Sequence, residues 1–153
     1  MAKILNKRFS EKLEGKDGFV RNLGSGARFG GKNSAKVESL KDEHKLVGDI
    51  STPPDFKFVI ECKHYKDSPT FRSALNEQIS QWDGWLKQVE TDAKSVNKLP
   101  MLVIKYNLID EFVLLPSSYF NKSIDLKYKY KDYAVKKLSD LLLMEDCFFF
   151  CKG

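Results

Sequence analysis

The stretch that decides the fold is residues 48–63, GDISTPPDFKFVIECK. Its second half belongs to a run, residues 56–65, that mixes aromatic and β-branched residues with alternating polar ones, which predicts a β-strand. Strand side chains alternate between faces, so Glu61 and Lys63 share one face while the apolar Ile60 points to the other. Because burying charge is costly unless it is paired or metal-bound, this Glu and Lys on an apolar strand indicate a functional site.

A second carboxylate lies just upstream, in a predicted strand over residues 45–51. If the two strands are hairpin neighbours, Asp49 and Glu61 meet at one point. Two converging carboxylates suit Mg²⁺, with Mn²⁺ as a substitute, and the backbone carbonyl of Cys62 is a further candidate ligand. Bound Mg²⁺ would activate a water, and Lys63 could orient that water or stabilise developing charge. The spacing alone leaves open a solvated ion pair on an ordinary strand.

The remaining patterns predict an α-β-β-β-α-β-β-α order around one mixed sheet. We expect a single domain over residues 1–153, with its core at about 5–115 and an extension at about 116–153. The predicted helices cover residues 1–14, 70–90 and 133–144. The other predicted strands cover residues 19–23, 99–106, 111–115 and 147–151.

Charge is distributed unevenly along the chain. The net charge is +5, and residues 1–48 hold 11 Lys and Arg against 6 Asp and Glu, whereas residues 49–153 hold 15 of each. Residues 18–37 contain no acidic residue, as expected of a segment that contacts a phosphate backbone, although a merely solvated basic loop has the same composition. The candidate DNA-contacting residues are Arg21, Arg28, Lys32, Lys36, Lys66 and Arg72.

Three segments resemble a known superfamily. Residues 48–50 followed by residues 60–63, Ile-Glu-Cys-Lys, look like the signature of PD-(D/E)XK nucleases, with Gly in place of the Pro before Asp49. The predicted order resembles that superfamily's restriction-endonuclease-like αβββαβ core. Residues 21–27, RNLGSGA, are similar to the segment that archaeal and phage Holliday-junction resolvases carry before their catalytic Asp. The insertion at residues 29–45 departs from compact archaeal resolvases.

That resemblance implies further site residues and partners. Ser25 would lie in the active-site loop, and a first-helix acid, Glu11 or else Glu14, would join the metal site. Some members use a Gln on the helix after the Glu-x-Lys strand, where Gln78 and Gln81 lie. The implied enzyme is a Mg²⁺-dependent DNA endonuclease, cutting branched DNA as a homodimer in the cytoplasm, or the host cytoplasm if phage-encoded.

Several sequence features could suggest other classes of protein. Residues 26–33 approach the phosphate-binding loop GxxxxGK[ST], but Asn33 stands where the hydroxyl residue is needed. The cysteines form no CxxC pair, which argues against zinc. A restriction- or repair-type nuclease and a non-catalytic nucleic-acid-binding module with the same fold remain open. The sequence contains no run of about 18 apolar residues, so it predicts no membrane-spanning helix.

Overall fold

The computed structural model describes residues 1–22, 47–120 and 127–151. Within these parts the strands form one seven-stranded sheet in the order β1-β2-β3-β4-β5-β7-β6. Its strands are β1 (Val20–Arg21), β2 (Ile50–Ser51), β3 (Phe58–Tyr65), β4 (Leu99–Tyr106), β5 (Phe112–Pro116), β6 (Lys129–Tyr130) and β7 (Tyr133–Lys137). The helices are α1 (Ala2–Arg8), α2 (Phe71–Leu75), α3 (Ser80–Ser95), α4 (Leu138–Leu141) and α5 (Asp146–Phe149), with a 3₁₀ turn at Ser117–Tyr119.

The centre of the sheet is the parallel pair β3 and β4, in register from Phe58 opposite Leu99 to Tyr65 opposite Tyr106. Parallel strands need a crossover connection, and α3 supplies it. All other neighbouring strands pair antiparallel, so the sheet is mixed. The order from α1 through β4 follows the predicted αβββαβ core, and the predicted α/β class is confirmed.

One face of the sheet, here called the phenylalanine face, packs against α1, α4 and α5. Phe58 and Ile60 of β3 are fully buried there. Phe9, just after α1, has its ring centroid 5.0 Å from that of Phe149 and 5.1 Å from that of Phe150. Aromatic rings at such separations gain energy beyond their burial, so this cluster ties both ends of the chain to the sheet.

The opposite face, here called the α3 face, packs against α3. Trp82 and Val89 of α3 are buried there, against Val59 of β3 and Leu102 of β4. The indole N–H of Trp82 donates to the hydroxyl of Tyr106 at 2.9 Å, which satisfies a polar group inside this layer. The helix thus lies directly over the strand that carries Glu-x-Lys.

The predicted helix at residues 133–144 is wrong over its first part. Tyr133 to Lys137 form β7, which pairs with β5 so that Leu114 lies opposite Val135. Helix begins only at Leu138 and covers one turn. The apolar spacing fits either element, and pairing with β5 decides for the strand. Tyr130 is buried although β6 is an edge strand.

Other element bounds also differ from prediction. The terminal strand predicted at residues 147–151 is wrong, because α5 occupies Asp146–Phe149 and only Phe150 makes an isolated bridge, to Phe56. The helix predicted at residues 70–90 is interrupted between α2 and α3, where Glu77 has a φ of +50°. That left-handed backbone cannot continue a helix. Within the described residues, no helix is long and apolar enough to cross a membrane.

Candidate active site

Asp49 caps the open edge of β3. The ladder between β2 and β3 pairs Ile50 with Ile60, and the Asp49 N–H donates to the Ile60 carbonyl at 2.9 Å. The next N–H along this edge, that of Cys62, donates at 2.8 Å to Oδ2 of Asp49. A side-chain carboxylate therefore takes the place of a strand carbonyl, which brings Asp49 beside Glu61.

Gly48 is required by this geometry. Its φ is +75°, and a Cβ there would lie 2.7 Å from the Ile60 carbonyl oxygen and 2.8 Å from Cγ1 of Val59. Both the left-handed conformation and the close approach exclude an L side chain without strain. The same reasons explain why proline, whose φ is fixed near −65°, does not precede Asp49 in this chain.

Asn22 holds the Asp49 segment from the other side. This buried side chain donates from Nδ2 to the Gly48 carbonyl at 2.9 Å and accepts at Oδ1 from the Ser51 hydroxyl at 2.5 Å. Its backbone N–H donates to the Asp49 carbonyl at 2.9 Å. Sequence reasoning missed this residue, although it lies within the RNLGSGA segment; its role in the structure is to fix the backbone around Asp49.

Glu61 is a buried charge with two partners. The residue is only 2% exposed, and its Oε1 lies 2.6 Å from Nζ of Lys63. Burial raises the pKa of the Glu61 carboxyl, the Lys63 ammonium opposes that rise, and repulsion from Asp49 adds to it. The predicted sharing of one strand face by Glu61 and Lys63 is what makes this ion pair possible.

The second partner of Glu61 comes from α3. Gln88 donates from Nε2 to Oε1 of Glu61 at 3.0 Å and accepts at Oε1 from Nζ of Lys63 at 3.3 Å. One amide thereby touches both members of the ion pair. Asp92, one helical turn later, is near enough for the Asp49 charge to raise its pKa, after the larger effect of burial. The charges of Asp49, Glu61 and Asp92 therefore influence one another.

The helix glutamine found at this site is Gln88. The structure does not place Gln78 or Gln81, which the resemblance suggested for this role, at the site. Gln78 precedes α3 and is exposed, and Gln81 is exposed in its first turn. Since α3 runs back along β3, Tyr65 meets Trp85 with ring centroids 4.9 Å apart, and the earlier Glu61 meets the later Gln88. This antiparallel course is the signal that could have located the residue.

A cavity of about 760 Å³ opens beside Asp49 and is here called the sheet-edge cavity. It extends from Glu61 and Lys63 around the edge of β3 to the phenylalanine face. Its described lining residues are Met1, Ala2, Lys3, Ile4, Arg21, Asp49, Ile50, Glu61, Cys62, Lys63, His64, Val103, Lys105 and Glu111. The cavity therefore borders the residues of the candidate site.

Neither first-helix acid is brought to this cavity. Helix α1 ends at Arg8, and Glu11 and Glu14 follow it as exposed residues that do not line the cavity. The part of the first helix that does face the cavity is its other end, residues 1–4. The expected helix over residues 1–14 would have carried Glu11 on its last turns, but the chain leaves the helix before reaching it.

The predicted DNA-contacting residues are placed only in part. Arg21 is exposed and lines the sheet-edge cavity. Lys66 and Arg72 are exposed beyond the end of β3 and do not line it. Ser25, Arg28, Lys32 and Lys36 lie outside the described residues.

The donor atoms at this edge fit a hard divalent cation. Asp49 and Glu61 offer carboxylate oxygens, the Cys62 carbonyl directly follows Glu61 in the chain, and no described residue accounts for Oδ1 of Asp49 or Oε2 of Glu61. In the described ranges no group of three or more His, Cys, Asp or Glu forms a complete ligand cluster, so water would fill the other positions.

A mixed sheet with Asp and Glu-x-Lys at one open edge defines the PD-(D/E)XK class of nuclease. The family described as "Phage putative PDDEXK endonuclease" has a model that matches residues 1–146. The chain belongs to this family. Searches of curated proteins and of solved structures gave no match.

Proposed function

We propose that this protein is a Mg²⁺-dependent endodeoxyribonuclease. It would hydrolyse phosphodiester bonds of DNA in an active site formed by Asp49, Glu61 and Lys63. The observation that carries the proposal is the Lys63–Glu61 pair, 2.6 Å apart, held by Gln88 at the mouth of a cavity. Perturbed carboxyl groups in a cleft are characteristic of catalytic sites. A buried carboxylate here would otherwise only cost stability.

Asp49, Glu61 and the Cys62 carbonyl would hold the metal ion. Bound Mg²⁺ or Mn²⁺ would lower the pKa of a water molecule that it binds and would offset negative charge on the phosphate. The Lys63 ammonium would donate to the attacking water or to a phosphate oxygen. Gln88 keeps the Lys63 and Glu61 side chains in place, so that this donor is oriented before DNA binds.

We propose branched DNA, and Holliday junctions in particular, as the substrate. The support is the likeness of residues 21–27 to resolvases, together with the basic excess of residues 1–48 and the position of Arg21 at the cavity. Cutting two strands symmetrically needs two sites, which a two-fold homodimer supplies. Ser25 remains a candidate neighbour of the scissile phosphate by the same likeness.

The test is cleavage of a labelled four-way junction and of a linear duplex of the same sequence, with Mg²⁺, Mn²⁺ or EDTA. We expect paired cuts in the junction, little cleavage of the duplex, and none with EDTA. Equal cleavage of both substrates would favour a restriction- or repair-type nuclease instead. If neither is cut with either metal while both are bound, the protein is a binding module and the proposed enzyme is wrong.

A further inference from the structure

The sheet-edge cavity is larger than hydrolysis of one phosphate requires. Its volume of about 760 Å³ lies in the range of roughly 300–1,000 Å³ that holds small organic ligands. Asp49, Glu61 and Lys63 line only one part of it. Other lining residues, including Ile50 of β2 and Val103 of β4, belong to the phenylalanine face.

The chemistry of this second part combines apolar walls with polar groups. Ile4, which is 43% exposed, provides apolar surface that could cover a flat ring, and the almost completely buried Ile50 and Val103 add to the apolar part of the lining. Toward the end of β3 and β4 are His64, whose Nε2 lies 3.1 Å from Oδ1 of Asn107, and Lys105, whose Nζ lies 3.0 Å from Oε1 of Glu111. A nucleobase has the matching character, since its faces are apolar and its edges carry hydrogen-bonding groups.

The cavity also connects the proposed catalytic atoms to this apolar part. Pairing between β2 and β3 stops at Ile50, so the space passes from Lys63 around the strand edge to Cys62 and His64 on the opposite face. Arg21 and Lys3 line the same cavity, and their positive charges can pair with the phosphates of a DNA strand. A strand with a phosphate at Lys63 therefore brings its neighbouring nucleotide to the cavity.

We propose that the sheet-edge cavity binds one unstacked nucleotide of the DNA substrate, next to the phosphate that is cut. This rests on the proposed nuclease function and adds a substrate preference to it. Turning a base out of the duplex costs a few kcal/mol, and least where the base is already unpaired. DNA with an unpaired or easily unpaired nucleotide at the cut is therefore the preferred substrate class.

The experiment uses 2-aminopurine, an adenine analogue whose fluorescence rises when it leaves the base stack. Cleavage by the wild-type protein first locates the cut, and the analogue is then placed at successive positions around it. Binding is followed with Glu61→Gln and Mg²⁺, and with the wild type in EDTA in case that variant does not fold. We expect a several-fold rise at one nucleotide beside the cut and little change elsewhere.

Two matched variants place the base in the cavity. Ile4 lines the cavity and is 43% exposed, whereas Ile109 does not line it and is 42% exposed. We expect Ile4→Trp to fill the space, abolish the fluorescence rise and lower kcat/KM several-fold. Ile109→Trp should keep both near the wild-type values. Both variants should retain their melting temperatures, because both positions are partly solvent-exposed.

The outcomes separate this proposal from the one it rests on. Absence of cleavage by the wild type under every metal condition would overturn the nuclease function and the nucleotide site together. Cleavage without a fluorescence rise at any position would overturn the nucleotide site alone. An unchanged rise in Ile4→Trp would show that the base leaves the stack elsewhere, which also overturns the site.

Discussion

The two faces of β3 bury opposite kinds of chemistry. On the phenylalanine face, Phe58 and Ile60 are fully buried among aromatic and aliphatic side chains. On the α3 face, Val59 is buried in a comparable way, but the next residue on that face, Glu61, is an almost completely buried carboxyl group. One strand eight residues long thus carries an apolar core on one side and an ion pair on the other.

The difference separates stability from function within a single strand. Burying a large apolar side chain stabilises the fold by about 1.5–3 kcal/mol. Burying Glu61 works against folding, because loss of water raises the pKa of its carboxyl despite the Lys63 partner. The apolar burial on both faces of the sheet therefore offsets what the burial of Glu61 costs, and the two contributions can be perturbed separately.

The largest effect is expected on the phenylalanine face. Phe149 is completely buried and contacts the rings of Phe9 and Phe56, so Phe149→Ala should lower the free energy of unfolding by about 3–5 kcal/mol. The control is Phe71→Ala, at a residue 78% exposed, which should change it by no more than about 0.5 kcal/mol. Urea unfolding measures both, and equal losses would contradict the assignment of Phe149 to the core.

On the α3 face, activity should fall while stability is largely kept. Lys63→Ala and Glu61→Gln should each lower kcat by about 100- to 1,000-fold, because each removes a group from the charged centre. DNA binding, measured by fluorescence anisotropy, should persist in both. Glu77→Gln, at an exposed Glu away from the cavity, is the matched control and should cut normally. Wild-type cleavage by either site variant would mean that the site is misplaced.

A smaller loss is expected from the side chain that orients the pair. Gln88→Leu keeps a similar volume and removes both amide contacts, so kcat should fall about tenfold with little change in KM, as for one charged hydrogen bond. Gln81→Leu alters an exposed glutamine of the same helix and should have no effect. Single-turnover cleavage separates the two parameters; equal losses in both variants would point to a general effect on α3.

The smallest effect concerns pH and is measured with EDTA present. Because the pKa of Glu61 is raised above its ordinary 4.5, its protonated form is favoured in the folded state. Stability relative to Glu61→Gln is then fully retained below pH 4.5 and falls as pH rises through the raised value. Thermal melts of both proteins from pH 4 to 8 should show the gap opening in favour of the variant. A gap that opens the other way would mean that Lys63 outweighs burial.

Much of the site's local geometry could be predicted, and its partners could not. Strand alternation put Glu61 and Lys63 on one face, and their atoms do lie 2.6 Å apart. Gln88 escaped prediction because its place depends on how far α3 runs back along β3. Asn22 escaped because its contacts to Gly48 and Ser51 cross 26 and 29 residues of chain.

The sequence by itself determined the α/β class and the Glu-x-Lys strand, since these follow from local periodicity. The tertiary structure decided the rest. Pairing with β5 made residues 133–137 a strand, and the end of α1 at Arg8 kept Glu11 away from the cavity. Such choices depend on contacts between distant segments, which outweigh the local preferences of each segment.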